Sequence, residues 1–134
     1  MTTKTLLTAS AVFLAVLGVA CTFMPQELLG FVGINPIEEI VVVVQVIGAL
    51  YLGFATINWM LRSTPIGGIY GRPLAMSNFL HFVVAGIPIV QTGLSGSEFP
   101  AMWILAGGYA LFALGFGWVM FAGSPAKKEA TVEG

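Results

Sequence analysis

The sequence predicts an all-α integral membrane protein, a four-helix bundle of up-down topology, and three observations carry that prediction. Of 134 residues, 57% are hydrophobic and 8% charged, whereas an ordinary soluble domain carries about 25% charged residues; mean hydropathy is +0.96. The charges are clumped, leaving uncharged runs at 5–26, 40–61, 73–97 and 99–126, and a helix of about 20 residues is enough to cross a bilayer. The β-branched stretch Val41 to Val44 does not argue for a strand, because it opens a 22-residue uncharged run with no turn signal, far beyond the usual strand of about 5 or 6 residues. Four segments in so short a chain also could not close a lipid-exposed barrel.

The spans are expected at about 5–24, 39–61, 74–92 and 100–122, followed by a flexible cytoplasmic tail at 123–134. Lys4, the apolar run after it and "VAC" at 19–21 resemble a secretory signal. The run is longer than the 7 to 15 residues usual for a signal core and reaches Met24 and Pro25 without a polar cleavage region, so it is read as the first span. Pro25 should interrupt that span, and the following "PQELLGFVGINPIEE" is expected as an apolar loop at the membrane interface. The next connection, "STPIGGIYG" at 63–71, reads as a tight Gly- and Pro-rich turn. Pro88 should kink the third span and free a carbonyl near position 84. "GLSGSEFP" at 93–100 is a plain turn into the fourth.

All five basic residues lie at alternate ends of the spans: Lys4, then Arg62 and Arg72, then Lys127 and Lys128. Four of the six acids, Glu27, Glu38, Glu39 and Glu98, occupy the other two connections. Lys and Arg near span ends stay on the cytoplasmic side. Both termini and the 62–73 turn are therefore expected in the cytoplasm, in a multi-pass protein of the cell inner (cytoplasmic) membrane. A net charge of −1 without a basic stripe gives no reason to expect a nucleic-acid partner.

Small residues at helical spacing let backbones approach where no hydrophobic effect drives helices together. They stand at Ala11, Ala15, Gly18 and Thr22 in the first span, Ala49 and Gly53 in the second, and Ala106, Ala110, Ala113 and Gly117 in the fourth. A close-packed bundle is expected from them ahead of a dedicated dimer face. Trp59, Trp103 and Trp118 fall near span ends, as interface anchors do.

The segment "GRPLAMSNFLHF" at 71–82 carries Arg72, Asn78 and His81, the single histidine of the chain. With the second and third spans laid antiparallel about the 62–73 turn, Asn58 matches Asn78 in depth, and Gln45 matches Gln91. Thirteen residues turn a helix about 220° beyond whole turns, so both amide pairs cannot face the same seam, and at least one must look toward another helix. Asn58, Arg62, Arg72, Asn78 and His81 form the candidate ligand-binding cluster, with Gln45 and Gln91 as a second polar pair. Intramembrane ionisable groups are costly and often functional, which would make this a site for a lipid headgroup, a quinone carbonyl or a proton. The competing reading is structural: amides and a neutral histidine bridge helices, each bond contributing about 0.6 kcal/mol.

The composition also excludes chemistry. There is no Asp, so a Ser-His-Asp hydrolase arrangement is impossible. The lone Cys21 excludes an intrachain disulfide, a CxxC pair or a cysteine-only metal cluster. One histidine per chain supplies neither two axial haem ligands nor a three-histidine metal site, which leaves open only a His with a methionine or a pair across a dimer. No Glu lies inside a span, so the buried carboxylate of a usual proton-coupled transporter is missing. No catalytic residue and no metal ligand are assigned, and no cofactor beyond a quinone or lipid is expected.

The stretch "FMPQELLGFVGI", followed by "QVIGALYLGFATINWMLR", resembles small bacterial four-helix membrane proteins of the DoxX-like type. Those show a first helix ending in a Pro-x-x-Leu-Leu loop and a Gly-rich second helix ending in an aromatic and a basic residue. The resemblance covers roughly the first half of the chain and implies the same four-helix fold. It points to membrane subunits of oxidoreductase systems that deal with quinones. Three functions are therefore weighed. The first is a non-enzymatic accessory subunit or lipid- and partner-binding module, with membrane lipid, a membrane protein or a second copy of the chain as partner. The second is a quinone-linked subunit built on Asn78 and His81 beside Trp59 and Tyr51. The third is a small transporter or pore, for which only the amides and Pro88 speak.

Overall fold

The computed structural model describes residues 2–65, 68–96 and 98–122. Ser97, Lys127, Lys128 and the tail at 123–134 lie outside the described residues. Five helices follow one another: α1 (Thr3–Phe23), α2 (Pro25–Phe31), α3 (Glu38–Met60), α4 (Gly71–Leu94) and α5 (Pro100–Ala122), with no strand among the described residues. The four long ones have 21 to 24 residues, or about 32 to 36 Å at 1.5 Å per residue, matching a hydrocarbon core of about 30 Å. The chain is a multi-pass membrane protein.

Local chemistry sets each boundary. The Thr2 hydroxyl accepts the Thr5 backbone N–H at 3.3 Å and caps the start of α1. Its end is set by Pro25, which has no N–H to donate and pushes the residue before it out of helical geometry; Met24 sits at φ −129°, ψ 44°. The same proline then opens α2 from its first position, where a missing N–H costs nothing. The expected interfacial loop is thus corrected at its start to a seven-residue helix that buries Pro25 and Leu29 and packs on α3. Gly33, at φ 74°, closes α2 in the left-handed conformation, with the Ile34 N–H reaching the Leu29 carbonyl at 2.8 Å.

Glu38 and Glu39 occupy the first turn of α3, where carboxylates complement the helix dipole. α4 begins at Gly71, three residues earlier than expected, because Pro73 falls inside the first turn and is tolerated there. It also runs on through Pro88 to Leu94. Gly96, at φ 89°, follows its C-terminus, and Pro100 opens α5.

The chain divides into two compact units, Leu7–Ser63 and a second made of Met1–Leu6 with the chain from Thr64 onward. In the first, α1 and α3 meet backbone to backbone. A Cβ placed on Gly18 would lie 3.0 Å from the Gly48 carbonyl oxygen, and one on Gly48 would lie 2.8 Å from the Thr22 nitrogen and 2.9 Å from the Cys21 Cβ. Gly18 and Thr22 serve as the sequence suggests. Their partner is Gly48, not Ala49 or Gly53: Ala49 is exposed and Gly53 has open space around it. Leu7, Ala11 and Leu14 are the buried apolar residues of this part of α1.

In the second unit α4 packs along α5 through aromatic rings. Phe82 stacks on Phe112 with centroids 5.0 Å apart and meets Tyr109 edge-on at 5.3 Å. Phe116 lies parallel to Phe82 at 5.9 Å. Tyr109, Phe112 and Phe116 recur at i, i+3 and i+7 on one face of α5. Gly117 admits Phe79 closely, and Ala106 is buried, but Ala110 is exposed.

Candidate functional site

Within Leu7–Ser63, Asn58 is wholly buried on α3. Its Nδ2 donates to the Ser10 Oγ on α1 at 3.1 Å, and that hydroxyl donates in turn to the Leu7 carbonyl at 3.0 Å. The relay ties the C-terminal part of α3 to the N-terminal part of α1. Gln45, at the other end of α3, donates from Nε2 to the Thr22 carbonyl at 3.4 Å. Both amides therefore look toward α1, although 13 residues separate them. Antiparallel helices that cross at the Gly18–Gly48 contact present different flanks above and below the crossing.

Arg62 lies just past the end of α3. Its guanidinium sits 4.2 Å above the centroid of the Trp59 ring, and Nη1 donates to the Trp59 carbonyl at 2.6 Å. Stacking of this kind holds the planar fork in one orientation. Beside it, an open apolar groove of about 260 Å³ runs between α1 and α3, lined by Ala11, Ala15, Leu52, Ala55, Thr56 and Trp59 among others. Thr56 turns its hydroxyl inward along its own helix, donating to the Leu52 carbonyl at 2.8 Å, so the groove wall stays apolar.

Within the second unit, Asn78 is wholly buried and donates from Nδ2 to the Leu74 carbonyl one turn back in α4. His81 is half-buried among rings: its centroid is 5.1 Å from that of Phe82 and 5.7 Å from that of Tyr109. Arg72 and Gln91 are exposed; the Gln91 backbone carbonyl accepts the N–H and hydroxyl of Ser95 at the end of α4.

The seven sequence-predicted residues are thus divided: Gln45, Asn58 and Arg62 belong to one unit, and Arg72, Asn78, His81 and Gln91 to the other. Sequence reasoning missed Ser10, the groove beside Trp59 and the aromatic set on α5. Ser10 left one trace, a hydroxyl near the depth of Asn58 in an antiparallel first span, with Thr8 two residues before it. Among the described residues no three His, Cys, Asp or Glu side chains gather as a metal site.

The fold and these residues define a helical multi-pass membrane protein with polar side chains bonded inside it and one stacked arginine at a helix end. No family model, curated protein or solved structure matches the chain.

Proposed function

We propose that this chain is a non-enzymatic protein of the bacterial inner membrane, an accessory module that binds lipid or a membrane partner through its lipid-facing surface. The observation that carries the reading is how the amides of the spans are used. Asn58 and Gln45 bridge α3 to α1, and Asn78 bonds the backbone of its own helix. Such bonds are what intramembrane amides do when they serve packing. Four of the six acids, Glu27, Glu38, Glu39 and Glu98, stand at or just before helix starts, away from the middle of the spans. Basic residues at alternate span ends support cytoplasmic termini.

The test is purification from native membranes into lipid discs, with mass spectrometry of what is retained and an absorption spectrum. Retained phospholipid or one defined membrane protein, with no chromophore and no quinone, is the expected result. For orientation, a membrane-impermeant thiol reagent applied from outside to a Cys21→Ser background should label Glu98→Cys and miss Ser63→Cys. The reverse pattern would overturn the orientation.

A second reading, a quinone-linked membrane subunit, is favoured by His81 lying against Phe82 and Tyr109, and by the resemblance to DoxX-like proteins. A quinone retained near one per chain, and lost on His81→Leu with the fold intact, would replace the first reading with this one.

A further inference from the structure

We propose that the groove between α1 and α3 holds one acyl chain of an anionic phospholipid, with the lipid phosphate on Arg62. This rests on the binding-module reading above and gives it a site and a ligand class.

The groove and the cation belong together within Leu7–Ser63. Trp59 lines the end of the groove, and Arg62, three residues further along the chain, is stacked on its ring. From Trp59 the lining passes to Leu52, seven residues or about 10 Å deeper at 1.5 Å per residue. On α1 it passes from Ala11 to Ala15. Small side chains at Ala11, Ala15 and Ala55, with Val12 beside them, leave room along the channel for methylenes. The channel thus starts at a charged helix end and descends into the apolar part of the span, as a phospholipid does.

Arg62 is set up for phosphate. One N–H of its fork is spent on the Trp59 carbonyl, and its central carbon lies over the indole ring. The remaining in-plane donors form the geometry that matches two phosphate oxygens. No acidic side chain pairs with it among the described residues. A cation beside a groove between transmembrane helices favours an anionic headgroup over a zwitterionic one. A second copy of the chain fits less well, because a two-fold axis along the membrane normal would repeat Arg62 at the same depth and set like charges together.

Trp59 reports on the site directly. In a variant with Trp103→Phe and Trp118→Phe, Trp59 is the remaining tryptophan, since the chain has three. The protein is reconstituted in phosphatidylcholine vesicles, and acyl-brominated phosphatidylglycerol or acyl-brominated phosphatidylcholine is titrated in. Brominated phosphatidylglycerol should quench Trp59 at roughly fivefold lower mole fraction, the factor that about 1 kcal/mol per interfacial cation corresponds to. Arg62→Gln should abolish the preference, whereas Arg72→Gln, an equal loss of charge at a residue that does not line the groove, should keep it. Ala15→Phe, which fills the channel, should reduce quenching by brominated phosphatidylglycerol, with helicity unchanged by circular dichroism. Equal quenching by the two lipids, or a preference that survives Arg62→Gln, overturns the proposal. So does quenching that falls as the protein-to-lipid ratio rises, the mark of a second copy in the groove. Either failure leaves the broader reading testable, since lipid or protein retained elsewhere would still appear by native mass spectrometry.

Discussion

Replacing Gly48 by alanine tests whether α1 and α3 are held by backbone contact. A Cβ there would stand 2.8 Å from the Thr22 nitrogen, about 0.6 Å inside ordinary contact at 3.4 Å, and 2.9 Å from the Cys21 Cβ. The Thr22 nitrogen is main chain, so no side-chain rotation relieves the overlap; α1 and α3 must separate. Overpacking of this kind costs about 1 to 3 kcal/mol. Gly53→Ala is the matched control, because it lies on the same helix and a Cβ there meets nothing within 4 Å. Both changes gain the same helix propensity, up to about 1 kcal/mol, so their difference isolates the contact. Gly48→Ala should be less stable than Gly53→Ala by about 1 to 3 kcal/mol, measured by reversible unfolding in mixed detergent micelles and followed by circular dichroism. Equal stability of the two variants would refute the close approach.

Three further expectations follow from the same units. A double-mutant cycle with Ser10→Ala and Asn58→Ala should show a coupling of about 0.6 kcal/mol and no more than about 1.7; strict additivity would remove the interhelical bond from the account. The buried Thr22 hydroxyl has no hydrogen-bond partner among the described residues, so Thr22→Val, of the same shape, should raise stability by about 1 kcal/mol in the same unfolding assay, and a loss would mean the hydroxyl is bonded. His81→Leu removes the ring contacts with Phe82 and Tyr109 and should lower stability by about 1 to 3 kcal/mol, whereas His81→Phe keeps the rings and should lose less; a His81→Leu variant as stable as the parent but stripped of a bound quinone would assign the residue to ligand binding.

The spans were legible because lipid imposes a simple rule: long runs without charge, ended by charge. The 100–122 span matches α5 at both ends, and the 39–61 span is displaced by one residue. What the sequence hid depends on rotation about the helix axes. A one-residue shift moves a side chain by about 100°, and no periodicity stronger than Val and Leu repeats marks Gly48 above Ala49 as the contact. Pro25 reads equally as a breaker and as a helix start; only the burial of Pro25 and Leu29 shows that a short helix follows. Depth matching on the second and third spans paired Asn58 with Asn78 and Gln45 with Gln91, yet it carried no information about the first span, where Ser10 and the Thr22 carbonyl bond Asn58 and Gln45. The spacing of Tyr109, Phe112 and Phe116 was legible, but aromatic residues are also common on lipid-facing surfaces, and the facing ring, Phe82, lies on another helix.

Apolar burial cannot be what selects the helix partners here, since lipid tails receive valine and leucine as readily as another helix does. α3 illustrates the point: only 11% of its most apolar window is buried, and Val42, Val43, Val46 and Leu50 are all more than half exposed. What remains to specify its place beside α1 is shape at Gly18 and Gly48 and direction in the Asn58–Ser10 and Gln45–Thr22 bonds. The α4–α5 unit solves the same problem by interlocking rings around Phe82. Substitution of one lipid-facing aliphatic residue by another should therefore be tolerated along α3, whereas the small and polar positions that face α1 admit little change. The groove beside Trp59 is a by-product of the same arrangement: glycines bring α1 and α3 together at their crossing, and further along the small side chains of Ala11, Ala15 and Ala55 leave space that opens beneath the guanidinium of Arg62.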